Sequence, residues 1–96
     1  MVAYAVGYLD IRTPSWLREY RPKTDELVRK HGGRYLVRGS GAEVLEGGKP
    51  PPGAVVILEF PSMEQARAWY NDPEYAPMIA LRQSGAHLDM VLVDGL

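Results

Sequence analysis

The sequence predicts an α+β fold of order β-α-β-β-α-β, with helices on one face of a four-stranded antiparallel sheet. Three observations lead there. Val2–Ile11 (VAYAVGYLDI), Arg34–Arg38 (RYLVR), Ala54–Phe60 (AVVILEF) and His87–Asp94 (HLDMVLVD) are short runs of strand-forming residues. The stretches after the first and third of these carry helix start and stop signals. Runs rich in Gly and Pro separate the elements.

Taken in order, Val2, Tyr4, Val6 and Tyr8 share one face of the first strand, and Ala3, Ala5, Gly7 and Leu9 share the other. Neither face is polar. Thr13-Pro14 reads as a helix start, with Thr13 as N-cap and Pro14 where a missing N–H has no consequence. Trp16, Leu17, Tyr20, Leu27, Val28 and His31 then fall near one helical stripe. Pro22 removes the bond to residue 18 and is expected to kink or divide this helix. Gly32-Gly33 stops it.

Arg34–Arg38 is the second strand, with a bulge or bend at Gly39-Ser40-Gly41 and a resumption at Val44-Leu45. Gly47–Gly53 (GGKPPPG) is a loop. Ala54–Phe60 is apolar almost throughout, the pattern of a strand covered on both faces. Ser62 and Gln65 form a capping box for a helix that runs to about Tyr70. Asn71-Asp72-Pro73 ends it and starts another, with Asp72 as cap. Pro77 either loosens its first turn or marks its beginning. Ser84-Gly85 closes the segment. In the last strand Leu88, Met90 and Leu92 share one face, and Val91 and Val93 the other. With right-handed crossovers this order is the ferredoxin-like arrangement. Its 96 residues make a single domain spanning 1–96.

Composition narrows the functional classes. Net charge is −1 with both signs mixed, so there is no electrostatic footprint for nucleic acid or an anionic membrane surface. The chain has no Cys, hence no disulfide and no thiolate nucleophile. No stretch approaches the ~20 apolar residues of a membrane helix, and the apolar start lacks a basic leader. A cytoplasmic, soluble protein is expected.

Two helices cover one sheet face, yet the first, third and last strands are apolar on both. A second copy packed sheet against sheet around a two-fold axis would cover the exposed face. A monomer whose long loop folds over the sheet is the alternative. The order and content of several short runs bear on this choice: Gly32–Gly39 (GGRYLVRG), Leu45-Glu46-Gly47, Glu59-Phe60-Pro61-Ser62, Ala68-Trp69-Tyr70 with Pro73-Glu74-Tyr75, and Leu81-Arg82. Over nearly the whole chain these resemble the uncharacterised bacterial family called domain of unknown function 1330 (DUF1330). The resemblance implies the dimeric α/β-barrel superfamily, and with it a homodimer. It implies no activity. The wider superfamily holds cofactor-free monooxygenases, isomerases, haem enzymes and proteins without known chemistry.

The residues themselves offer few routes to chemistry. His31 and His87 are far apart, with no H-E-x-x-H pattern, so no metal site is expected. Either could ligate haem only by accident of position, and no cofactor is expected. Gly39-Ser40-Gly41 begins like a dinucleotide fingerprint, but Val44 stands where its last glycine belongs. No phosphate loop or nucleophile elbow is present.

Four features remain. Arg38 and Glu59 lie on strands joined as a hairpin, so a pair between them is expected. It is either a structural ion pair or an anion-holding guanidinium beside a proton-moving carboxylate. Trp69, Tyr70, Tyr75 and Arg82 gather around the Asn71-Asp72-Pro73 break. They are either core and helix-end cover, or an aromatic wall with phenol tips and one guanidinium. Tyr75, Ile79 and Arg82 share a helix face. His31 sits at a helix C-terminus, where the dipole explains it; a catalytic base is the alternative. Tyr20, beside Pro22, is core or points into a pocket. The expected function is binding of a small aromatic or carboxylated molecule, either as a cofactor-free isomerase or monooxygenase-like enzyme or as a non-catalytic ligand-binding or structural dimer.

Overall fold

The structure, a computed structural model, describes residues 1–96. Its elements are β1 (Ala3–Ile11), α1 (Leu17–Lys30), β2 (Arg34–Ser40), β3 (Ala54–Phe60), α2 (Met63–Tyr70), α3 (Ala76–Gln83) and β4 (Ala86–Asp94). The four strands form one antiparallel sheet of order β2-β3-β1-β4. This is the ferredoxin-like arrangement, with the second helical segment split in two.

The two-residue strand period sorts side chains cleanly. Ala3, Ala5, Leu58 and Phe60 are buried on the helix side, where the last three pack with Leu27, Val28, Ala66, Trp69, Tyr75 and Met78. Tyr4, Val6, Val55, Ile57, Val91 and Val93 occupy the opposite face, which no helix covers. Val91 there is 64% exposed and Val93 48%. No helix is long and apolar enough to cross a membrane.

Several local expectations are corrected. α1 begins at Leu17 rather than at Thr13-Pro14, and no side chain caps it. Thr13 is engaged elsewhere: its N–H, like that of Arg12, donates to the Gly85 carbonyl, at 3.0 and 2.8 Å. Pro22 does not divide the helix, which runs unbroken for 14 residues. The ring sits on an exposed face, so the loss is confined to one backbone bond. β2 continues through Gly39 to Ser40, and its irregularity falls between Tyr35 and Val37. Val44-Leu45 lies outside the strand.

At the α1–β2 turn, Gly32 has φ +80°. A Cβ on the next residue, Gly33, would lie 2.4 Å from the Phe60 ring, so only glycine fits there. Ser62 Oγ accepts from the Gln65 N–H at 3.1 Å as the N-cap of α2. The Gln65 side chain reaches the His31 carbonyl at 3.4 Å, linking α2 to the end of α1. Asp72 caps a turn rather than a helix. Its Oδ1 accepts from the Glu74 N–H at 2.9 Å, and α3 begins only at Ala76.

Candidate functional site

Between the helices and the sheet lies a cavity of about 420 Å³, within the size range of small-molecule sites. Its floor is the helix-facing register of β1, β3 and β4: Leu9, Ala54, Val56, Leu58, Leu88 and Met90. Aromatic walls come from Trp16 and Tyr20 at the start of α1, Tyr35 on β2, Trp69 on α2, and Tyr75 in the turn before α3.

The polar centre of this cavity is Tyr20, Tyr75 and Arg82. The two phenol oxygens are 2.6 Å apart, and Arg82 Nη1 donates to both, at 3.1 Å each. Tyr75 and Arg82 are seven residues apart, two helical turns, so the turn before α3 and its last turn present them to one side. Tyr20 arrives from α1, 55 residues away in sequence from Tyr75. Each phenol brings one proton, and only one fits between oxygens this close. The other is left to point elsewhere. Burial, reinforced by the Tyr20 phenol, pushes the Tyr75 hydroxyl far above its ordinary pKa, so it stays a neutral donor.

Arg82 is the unusual member. It is 4% exposed, and none of the chain's ion pairs involves it. Its Nε has no hydrogen-bond partner within the protein; nor do the buried Nε1 atoms of Trp16 and Trp69, which line the same cavity. Uncompensated buried cations and orphaned donors are costly, and all of these groups are donors.

Nearer the exterior, Arg38 stacks 3.7 Å from the Tyr35 ring centroid and donates through Nη2 to Asp25 Oδ1 at 2.9 Å. The expected Arg38–Glu59 pair does not form. Glu59 opposes Arg34 across the sheet and accepts from its Nε at 3.0 Å. The reason is the irregularity at Leu36. Arg34 and Arg38 have the same parity and would share a face in a regular strand. The extra residue turns Arg38 to the cavity side opposite Val56, together with Tyr35 opposite Leu58, and leaves Arg34 on the uncovered face with Glu59.

His31 also lies away from the cavity. Its Nε2 sits 2.8 Å from Asp72 Oδ2, which Lys30 Nζ approaches at 3.0 Å. These contacts clasp the end of α1 to the turn that carries Tyr75. The His31 hydrogen bond, the Glu74 N–H and Lys30 hold the Asp72 carboxyl well below the usual carboxylate range. Trp69 is core and wall at once: 2% exposed, its ring centroid lies 5.3 Å from Phe60 and 4.8 Å from Tyr75. Tyr70 is 44% exposed and does not line the cavity; it packs edge-on to Tyr75. Thus Tyr20, Arg38, Trp69, Tyr75 and Arg82 come together, while Glu59, His31 and Tyr70 do not.

Sequence reasoning missed Trp16, Arg21, Tyr35 and Asp25. Trp16 carried a signal as the first aromatic of the α1 stripe. Tyr35 and Asp25 carried none, because their meeting with Arg38 depends on the strand irregularity. No group of three or more His, Cys, Asp or Glu residues is arranged to hold a metal.

A ferredoxin-like sheet roofed by helices, with a basic and aromatic cavity between the layers, defines the class of protein. Within it, the chain belongs to the family described as Domain of unknown function (DUF1330), whose model matches residues 2–96. Among solved structures it is similar to a protein of unknown function from Rhodopseudomonas palustris. The identity is 18% and the TM-score 0.81, covering 99% of this chain and 82% of that one. A dimeric ferredoxin-like protein of unknown function from Jannaschia sp. CCS1 matches at 11% identity and TM-score 0.72, covering 99% and 100%. The cofactor-independent oxygenase SnoaB from Streptomyces nogalater matches at 11% and 0.71, covering 99% and 93%. At these identities the likeness is one of fold. No curated protein matches the chain.

Proposed function

We propose that the protein is a homodimer, paired through the uncovered sheet face, that binds a small aromatic or carboxylated molecule as its anion. Arg82, Tyr20 and Tyr75 hold the acidic group; Trp69 and the other aromatics flank the ring; Arg38 stands at the outer end. The observation that carries this reading is Arg82, buried in a largely apolar cavity with no carboxylate of its own. The dimeric state named for the Jannaschia relative supports the assembly.

A catalytic version of this reading is favoured by the donor array. Arg82 and the two phenols it binds form one hydrogen-bonded cluster, and the phenol proton left over, with the guanidinium behind it, would stabilise an enolate or phenolate as well as a carboxylate. No Asp, Glu or His lines the cavity, so proton abstraction would fall to the ionised ligand itself. Cofactor-free chemistry has a precedent on this fold in the Streptomyces oxygenase.

A thermal-shift screen of aromatic acids, phenols and their uncharged analogues against the purified protein tests the binding. Acids are expected to raise the melting temperature and their amides not to, and Arg82→Gln is expected to remove the effect. Equal shifts from acids and amides would exclude the anion site. Oxygen uptake or substrate isomerisation with the best ligands then separates enzyme from binding module.

A further inference from the structure

The cavity holds more positive charge than one acidic group requires. Arg21, Arg38 and Arg82 line it and no Asp or Glu does, in a chain whose net charge is −1. Arg82 is buried, whereas the Arg38 side chain is 38% exposed. The charges therefore occupy an inner and an outer zone, with the apolar floor of Val56 and Leu58 in the same cavity. The outer zone is also built. Tyr35 supports the Arg38 guanidinium from one side at 3.7 Å, and burial pushes the Tyr35 phenol far above its ordinary pKa, so it brings no competing charge. Asp25, just outside the lining, pairs with Arg38, and none of the chain's ion pairs involves Arg21. The bond to Asp25 shows that Arg38 Nη2 can hold a carboxylate.

We propose that the ligand is an elongated aromatic molecule with an anionic group at each end. The inner group meets Arg82, Tyr20 and Tyr75. The outer group displaces Asp25 from Arg38 and gains Arg21. This deepens the reading of Arg82 as an anion site and rests on it. It also makes Arg38 and Asp25 specificity residues of opposite sign: Arg38 draws the outer anion in, and Asp25 competes with it.

Calorimetric titration with terephthalate, 4-carboxycinnamate and biphenyl-4,4′-dicarboxylate, each beside its monomethyl ester, tests this across a range of lengths. At least one diacid is expected to bind about tenfold more tightly than its ester, the difference made by one charge-assisted contact. Arg38→Met is expected to bring that pair to parity. Asp25→Asn is expected to tighten the diacid and leave the ester unchanged, a gain that a purely structural ion pair would not give. Should Arg38→Met fail to fold, the Asp25→Asn comparison decides. If esters bind as well as diacids and Arg82→Gln abolishes both, the inner site stands and the diacid proposal falls. If no acid or ester of any length binds, both readings fall together.

Discussion

Arg82 is the residue on which structure and function pull in opposite directions. Replacing a buried, unpaired cation by an apolar side chain of similar length removes a desolvation penalty. Tyr20 and Tyr75 keep each other as partners in its absence. Arg82→Met is therefore expected to leave the free protein as stable as the parent or up to about 2 kcal/mol more stable, while aromatic acids no longer shift its melting temperature. Chemical denaturation beside the ligand screen checks both halves; a large loss of stability would mean the guanidinium is needed by the fold. Trp69 behaves differently. Its Nε1 is already unpartnered and its ring lies between Phe60 and Tyr75, so Trp69→Ala is expected to cost about 3–5 kcal/mol by opening a void. The sequence shows part of this. The spacing of Tyr75 and Arg82 marks a shared face, and the aromatics around Pro73 mark a wall. It cannot show that Tyr20 closes the cluster from another helix, because that contact is made by packing rather than by spacing.

Among the elements, the strand faces were readable because their period is fixed by geometry. The two faces of β1 and β4 emerge as expected. The pairing of Arg38 was not readable, since a single added residue in β2 reverses which side of the sheet it serves. The start of α1 is hidden from the sequence for a related reason: Thr13 is held by Gly85, a contact 72 residues away that no local cap signal reveals. Asp72, by contrast, gives the junction between α2 and α3 a pH dependence. Its pKa is depressed in the folded protein, so the stability it supplies is complete above the unfolded carboxyl value of about 4 and is lost as acid protonates the folded form. Unfolding midpoints measured from pH 6 downward are expected to fall below about pH 4, and Asp72→Asn is expected to flatten that decline. Ser62→Ala, which removes the α2 cap, is expected to cost about 1 kcal/mol at any of these pH values.

At the scale of the whole molecule, the uncovered apolar sheet face is expected to govern behaviour in solution. Light scattering is expected to give twice the 10.7 kDa chain mass. Ile57→Lys places a charge amid Val6 and its neighbours on that face and is expected to yield a monomer; a dimer unaffected by this change would mean that the copies associate elsewhere. The alternation of β3 carries this further. Its even-numbered residues, Ala54, Val56 and Leu58, form the floor of the cavity, while the odd-numbered Val55 and Ile57 face the other way. Substitution at one parity would therefore reshape the proposed binding cavity, and substitution at the other the proposed dimer face. Seven residues of a single strand serve both surfaces, back to back across the thickness of one sheet.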